Sequence, residues 1–150
     1  ENIFTGDLCV LTGDGVITPH TATEVNNIGV FAGVSYTASD GEYIYSKYWP
    51  SGTVATDIVA YVYDDPYTVF RIQSAGTPAQ TDVGSNADVV AGTGSTTTGQ
   101  SGFDLNGTMS NGTATCKIIG LWEDPSNSFA QYAQLEVLIN EHILKQTAGI

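Results

Sequence analysis

The apolar residues of this chain come in short runs that alternate with period two, and each run stops at a cluster of Gly, Asp, Asn or Pro. Successive side chains of a strand point to opposite faces, so alternation of this kind marks half-buried strands and the punctuation marks the turns between them. Leu8 to Thr12 ends at Gly13-Asp14-Gly15, and Val16 to Thr18 then runs into Pro19, which predicts a small hairpin. Asn27 to Thr37 sets Ile28, Val30, Ala32 and Val34 on one face against Gly29, Phe31, Gly33 and Ser35 on the other. Glycine inside a strand marks a bulge, a barrel corner or the close approach of another backbone. After Ser39-Asp40-Gly41, the run Glu42 to Trp49 alternates Tyr43, Tyr45, Lys47 and Trp49 against Ile44, Ser46 and Tyr48, a second hairpin signal. Asp57 to Tyr63 and Thr68 to Gln73 follow, separated by Asp64-Asp65-Pro66.

Composition points the same way. Only 13% of the 150 residues are charged, about half the usual share, and Thr, Ser, Asn and Gly stand in their place. These residues are poor helix formers, because Gly loses the most backbone entropy and the others hydrogen-bond to nearby backbone in competition with helical bonds. The chain is therefore expected to be all-β, a small β-barrel or β-sandwich with an extended loop, C-terminal strands and helix in at most a turn or two. Residues 1–73 read as the barrel or sandwich core. Residues 74–112 read as an extended Gly/Thr/Ser-rich segment with few apolar side chains to offset its ordering entropy, expected to be mobile in the isolated chain and to lie along a neighbour. Residues 113–150 carry two more strands, Thr113 to Leu121 and Gln134 to Asn140, packed on the core or on a neighbouring subunit.

The charge balance limits the partners. Four Lys and Arg against 16 Asp and Glu give a net charge of −12, which repels phosphate backbones and anionic lipid, so neither nucleic acid nor a membrane surface is expected as a partner. No apolar run approaches the roughly 18 residues that span a bilayer.

Residues with chemistry are few. His20 and His142 are the only histidines, and no spacing typical of zinc ligands is present, so no metal or other cofactor is expected. Cys9 and Cys116 could form one bridge, but each sits in an apolar strand-like run and reads as a buried free thiol. The acid pairs Asp64-Asp65 and Glu123-Asp124 each precede a proline at the end of an apolar strand, where an Asp caps a turn; a catalytic carboxylate pair is the competing reading. The cluster Tyr43, Tyr45, Tyr48 and Trp49 suits a sugar-stacking platform, a protein interface or ordinary cross-strand packing. No catalytic residue is assigned.

The succession Ile28-Gly29-Val30-Phe31-Ala32-Gly33-Val34-Ser35-Tyr36-Thr37, Lys47-Tyr48-Trp49-Pro50-Ser51-Gly52-Thr53, Asp64-Asp65-Pro66 with Phe70-Arg71-Ile72-Gln73, Gly94-Ser95-Thr96-Thr97-Thr98-Gly99-Gln100-Ser101-Gly102 and Leu138-Ile139-Asn140-Glu141-His142 resembles small structural proteins of tailed bacteriophages encoded near the major capsid protein. The resemblance spans nearly the whole chain. It implies a capsid decoration, or cement, protein: a non-enzymatic virion component on the outer capsid surface. The major capsid protein would be its partner, and the chain a homo-oligomer, trimer favoured over dimer. The expected interface residues are Gly92, Gly94, Thr96, Thr97, Thr98 and Gln100 of the extended segment with Tyr43, Tyr45, Tyr48 and Trp49 of the hairpin. The alternative is a carbohydrate-binding module or glycosidase-like surface protein using the aromatic cluster with Asp64 or Asp65.

Overall fold

The long run of β-branched and aromatic residues after Asn27 forms the strand from which one whole sheet is built. In the computed structural model, which describes residues 1–147, the chain is all-β. Its strands are β1 (Ile3–Phe4), β2 (Leu8–Leu11), β3 (Ile17–Pro19), β4 (Asn27–Ala38), β5 (Tyr43–Ser46), β6 (Tyr48–Trp49) and β7 (Ala55–Tyr63) in the first half. Then come β8 (Phe70–Gln73), β9 (Asn86–Ala87), β10 (Val89–Val90), β11 (Asp104–Leu105), β12 (Cys116–Leu121) and β13 (Gln134–Ile139). Helix is confined to two single 3-10 turns, Gln80–Asp82 and Ile143–Lys145, so no helix among the described residues is long or apolar enough to cross a membrane.

β4 organises the five-stranded sheet β3-β2-β4-β5 with β7. Its first residues pair with β2 and its last with β5 along one edge, while β7 runs the length of the other edge from Val30↔Tyr63 to Ala38↔Ala55. The glycines expected to mark irregularity do so. Gly29 has φ +144, and a Cβ there would lie 2.0 Å from the Tyr63 carbonyl oxygen, so only glycine lets β7 approach. Between Phe31 and Gly33 the register with β7 slips, with Ala32 as the extra residue. That bulge corrects the straight alternation expected from the sequence: Phe31 and Val34 enter the same core cluster, with Ile3, Cys9 and Tyr36, while Val30 packs against the other cluster.

The second sheet, β8-β13-β12-β9, is antiparallel throughout and open, and no closed barrel forms among the described residues. β13 keeps strict alternation, with Leu135, Val137 and Ile139 buried against Ile118 and Cys116 of β12. Leu8 and Val30 of the first sheet complete this core, so the two sheets share it.

The extended segment is where expectation and structure part. Rather than standing clear of the rest, it packs on its own chain: β9 pairs with β12, the β10–β11 ribbon buries Val89 and Leu105, and Ser74 is fully buried. The four-stranded sheet thereby draws strands from residues 70–73, 86–87, 116–121 and 134–139, across all three segments read from the sequence. The physical reason is backbone contact instead of apolar side chains. Gly92 lies so close to Gly102 that a Cβ would meet its carbonyl oxygen at 1.8 Å, and Gly94 lies against the Phe4 ring. Small residues do let this stretch lie along another strand, but that strand is its own.

The C-terminal end is tied down by a buried polar knot. Asn27, fully buried, donates from its backbone N–H and from Nδ2 to the Glu141 carbonyl oxygen (3.2 and 3.0 Å), and its Oδ1 accepts from His20 Nδ1 at 2.9 Å. His142, also fully buried, accepts the Leu144 N–H at Nδ1 (3.2 Å). That bond requires an unprotonated Nδ1, and burial, with Lys145 nearby, holds His142 below its ordinary 6.5 against the opposing pull of Asp64 and Asp65.

Two outcomes follow from this packing. Phe31→Ala, which empties the centre of the first cluster, should lower the unfolding free energy by about 3 kcal/mol in urea titration. Because folded His142 refuses a proton that the unfolded chain accepts, its contribution is whole above the unfolded value of 6.5 and is lost as pH falls below it. Urea midpoints measured from about pH 7 down to pH 5 should fall more steeply for the wild type than for His142→Asn; parallel profiles would refute this role.

Candidate functional site

The features of the sequence that could carry chemistry are dispersed by the fold. His20 and His142 are buried in the knot just described, and Cys9 and Cys116 are free thiols in two different core clusters. Burial pushes both thiols up to about 12. Among the described residues no three His, Cys, Asp or Glu side chains converge as a metal site. In each acid pair the second residue caps a turn: Asp65 Oδ1 accepts the Tyr67 N–H (2.8 Å) and Asp124 Oδ1 accepts the Ser126 N–H (2.8 Å). One buried acid escaped the sequence reading. Asp7 Oδ2 accepts the Phe4 N–H at 2.8 Å inside the tight turn between β1 and β2, and burial raises its carboxyl above the ordinary value. Nothing in the one-letter pattern separates it from the exposed acids.

The aromatic hairpin is divided. Straight alternation through Trp49 fails because the strand breaks at Lys47, so Tyr43 and Tyr45 belong to β5, whereas Tyr48 and Trp49 form β6 and pair with β1. Tyr48 stacks on Phe4 (ring centroids 5.4 Å, planes at 18°), and Trp49 meets Tyr36 edge-on (5.3 Å, 87°). Both are half-buried. Tyr43 and Tyr45 remain exposed, and Tyr45 lies 5.7 Å from Tyr61 of β7, whose hydroxyl is 3.1 Å from Ser35 Oγ.

Of the extended segment, Gly92 and Gly94 are packed as described, and Gln100 bridges to Thr5 in parallel. Thr96, Thr97 and Thr98 stay exposed at the tip of a turn closed by the Ser95–Gln100 bridge. These threonines, Gly92, Gln100, Tyr43 and Tyr45 are the expected interface residues that the fold leaves exposed.

The most exposed apolar structure lies on neither motif. β7 pairs only with β4, so its other edge has no partner among the described residues. Along its nine residues Ile58, Val59, Tyr61 and Tyr63 are all exposed, and no charge interrupts the run between Asp57 and Asp64. Soluble proteins commonly blunt such edges with Lys, Pro or a covering loop. Beside it runs an apolar groove of about 550 Å3 whose walls include Ile17, Phe31, Val34, Trp49, Ile58 and Val62, and none of its lining residues is charged. The sequence does mark β7 as a strand; that it sits at an edge depends on which strands flank β4.

The division of the hairpin has a stability signature. Tyr43→Ala should change the unfolding free energy by less than about 0.5 kcal/mol, and Trp49→Ala should cost about 2 kcal/mol or more. Equal costs would contradict the packing described here.

Comparison with protein-family models, with curated proteins and with solved structures finds no match to this chain.

Proposed function

We propose that this protein is a non-enzymatic structural component of a tailed-phage virion that binds the outer surface of the capsid, with the major capsid protein as its partner, and stabilises the shell. The observation that carries this reading is β7, a nine-residue strand that leaves one edge and four large apolar side chains uncovered beside an apolar groove. An edge of this length is a template for pairing with another chain, and it is costly to leave bare unless a partner covers it. The resemblance of layout to phage structural proteins supplies the identity of that partner. A net charge of −12 suits a protein displayed at high density on the outside of a particle and disfavours the DNA-facing side. On the shell the chain would be a homo-oligomer, with a trimer favoured.

A second reading has one observation of its own. The exposed pair Tyr45 and Tyr61, its Tyr61 hydroxyl held at 3.1 Å by the buried Ser35 hydroxyl, offers two rings and their phenol groups to a sugar.

The test is co-sedimentation of the purified protein with undecorated capsids, followed by heating of the decorated shells. Saturable pelleting and a raised rupture temperature are expected. No pelleting at saturating protein overturns the decoration reading. Retention on immobilised glycans, lost in Tyr45→Ala, would replace it with the sugar reading.

A further inference from the structure

The uncovered edge of β7 carries information about what pairs with it. The apolar run is bracketed by acids: Asp57 near its start, and Asp64 and Asp65 just past its end. No cation lines the groove beside it. Of the four basic residues, Arg71 stacks over Trp122 and Lys117 Nζ donates to the Gly84 carbonyl oxygen, while Lys145 Nζ donates to the Ile139 carbonyl oxygen and lies over the Tyr67 ring (5.1 Å), just past Asp65. The edge is thus apolar in the middle, with one acid at its start and two acids past its end that outnumber the single lysine, Lys145, near them.

That pattern discriminates between occupants. Antiparallel pairing of β7 with β7 of a second copy, centred on Ala60, sets Asp57 of one chain opposite Tyr63 and diagonal to Asp65 of the other on the same face, twice over. Like charges brought together across strands destabilise the pair, and here each belongs to a body of net charge −12. A strand with Lys or Arg at its ends meets the same acids favourably, and its alternate apolar side chains can enter the groove over Phe31 and Val34.

We propose that the free edge of β7 and its groove receive an extended strand of another protein, apolar and alternating in its centre and basic at both ends, and not a second copy of this chain. The shell protein as the source of that strand rests on the decoration reading above; the chemistry of the strand does not. The bulge opposite Tyr36 places Asp57, with φ +52, near the start of this edge.

The experiment uses the whole chain and two labelled peptides, alternating Val and Thr, one ended in lysines and one in glutamates, read by fluorescence anisotropy. The lysine-ended peptide should bind at least about tenfold more tightly than the glutamate-ended one, and the gap should close as salt is raised. Ile58→Lys and Tyr61→Lys, at exposed positions, should each weaken binding about tenfold while leaving the circular dichroism unchanged. Asp57→Asn combined with Asp64→Asn should narrow the difference between the peptides. Equal binding of the two peptides, no binding of either, or a wild-type dimer in sedimentation equilibrium that Ile58→Lys dissociates would each overturn the proposal. Capsid pelleting separates this inference from the one before it. If the wild type and Ile58→Lys pellet equally with shells, the β7 assignment fails and decoration stands. If the lysine-ended peptide binds at β7 and shells do not bind at all, decoration fails and the β7 assignment stands.

Discussion

The pairing of β4 on both of its edges is the constraint on which the rest of this molecule depends. Along one edge β4 accepts β2 and then β5; along the other it accepts β7 for its full length. β7 approaches closely enough only because Gly29 has no side chain where the Tyr63 carbonyl sits. The bulge at Ala32 then sends Phe31 and Val34 into one cluster and leaves Val30 for the other, so a single strand seeds both halves of the hydrophobic core. β7 pairs with β4 alone, and among the described residues no strand pairs with its far side, so it is an edge.

A chain with so many small residues needs another way to hold its long connections, and it uses backbone proximity. Gly92 against Gly102, and Gly94 against Phe4, are contacts that any Cβ would prevent. Each brings amide and carbonyl groups within reach of one another, as where Ser95, Gly99 and Gln100 close a turn and Thr5 bonds to both sides of it. The ordering entropy of the segment is offset by hydrogen bonds and by a few well-placed apolar anchors, Ala87, Val89 and Leu105.

The shortage of cations shapes the surface as much as the shortage of apolar side chains shapes the connections. Three of the four basic residues are held by an aromatic ring or a carbonyl of the chain itself. The acids, far more numerous, remain on the outside or cap turns. The surface is left with little positive charge to offset a net charge of −12.

What the sequence by itself determined is the class of structure and its punctuation. Period-2 runs, turn residues and the composition of Thr, Ser, Asn and Gly specify strands at β2, β4, β5, β7, β12 and β13, because side-chain alternation and turn chemistry are local properties. Free buried thiols, turn-capping acids before Pro66 and Pro125, and helix in no more than single turns are legible for the same reason. What only the tertiary structure decided is who pairs with whom. The parting of Tyr43 and Tyr45 from Tyr48 and Trp49, the resetting of faces at Ala32, and the docking of residues 86–105 onto their own chain all depend on strands distant in sequence. So does the candidate site: Ile58, Val59, Tyr61 and Tyr63 read as an ordinary strand, and only the order of strands around β4 leaves them without a neighbour.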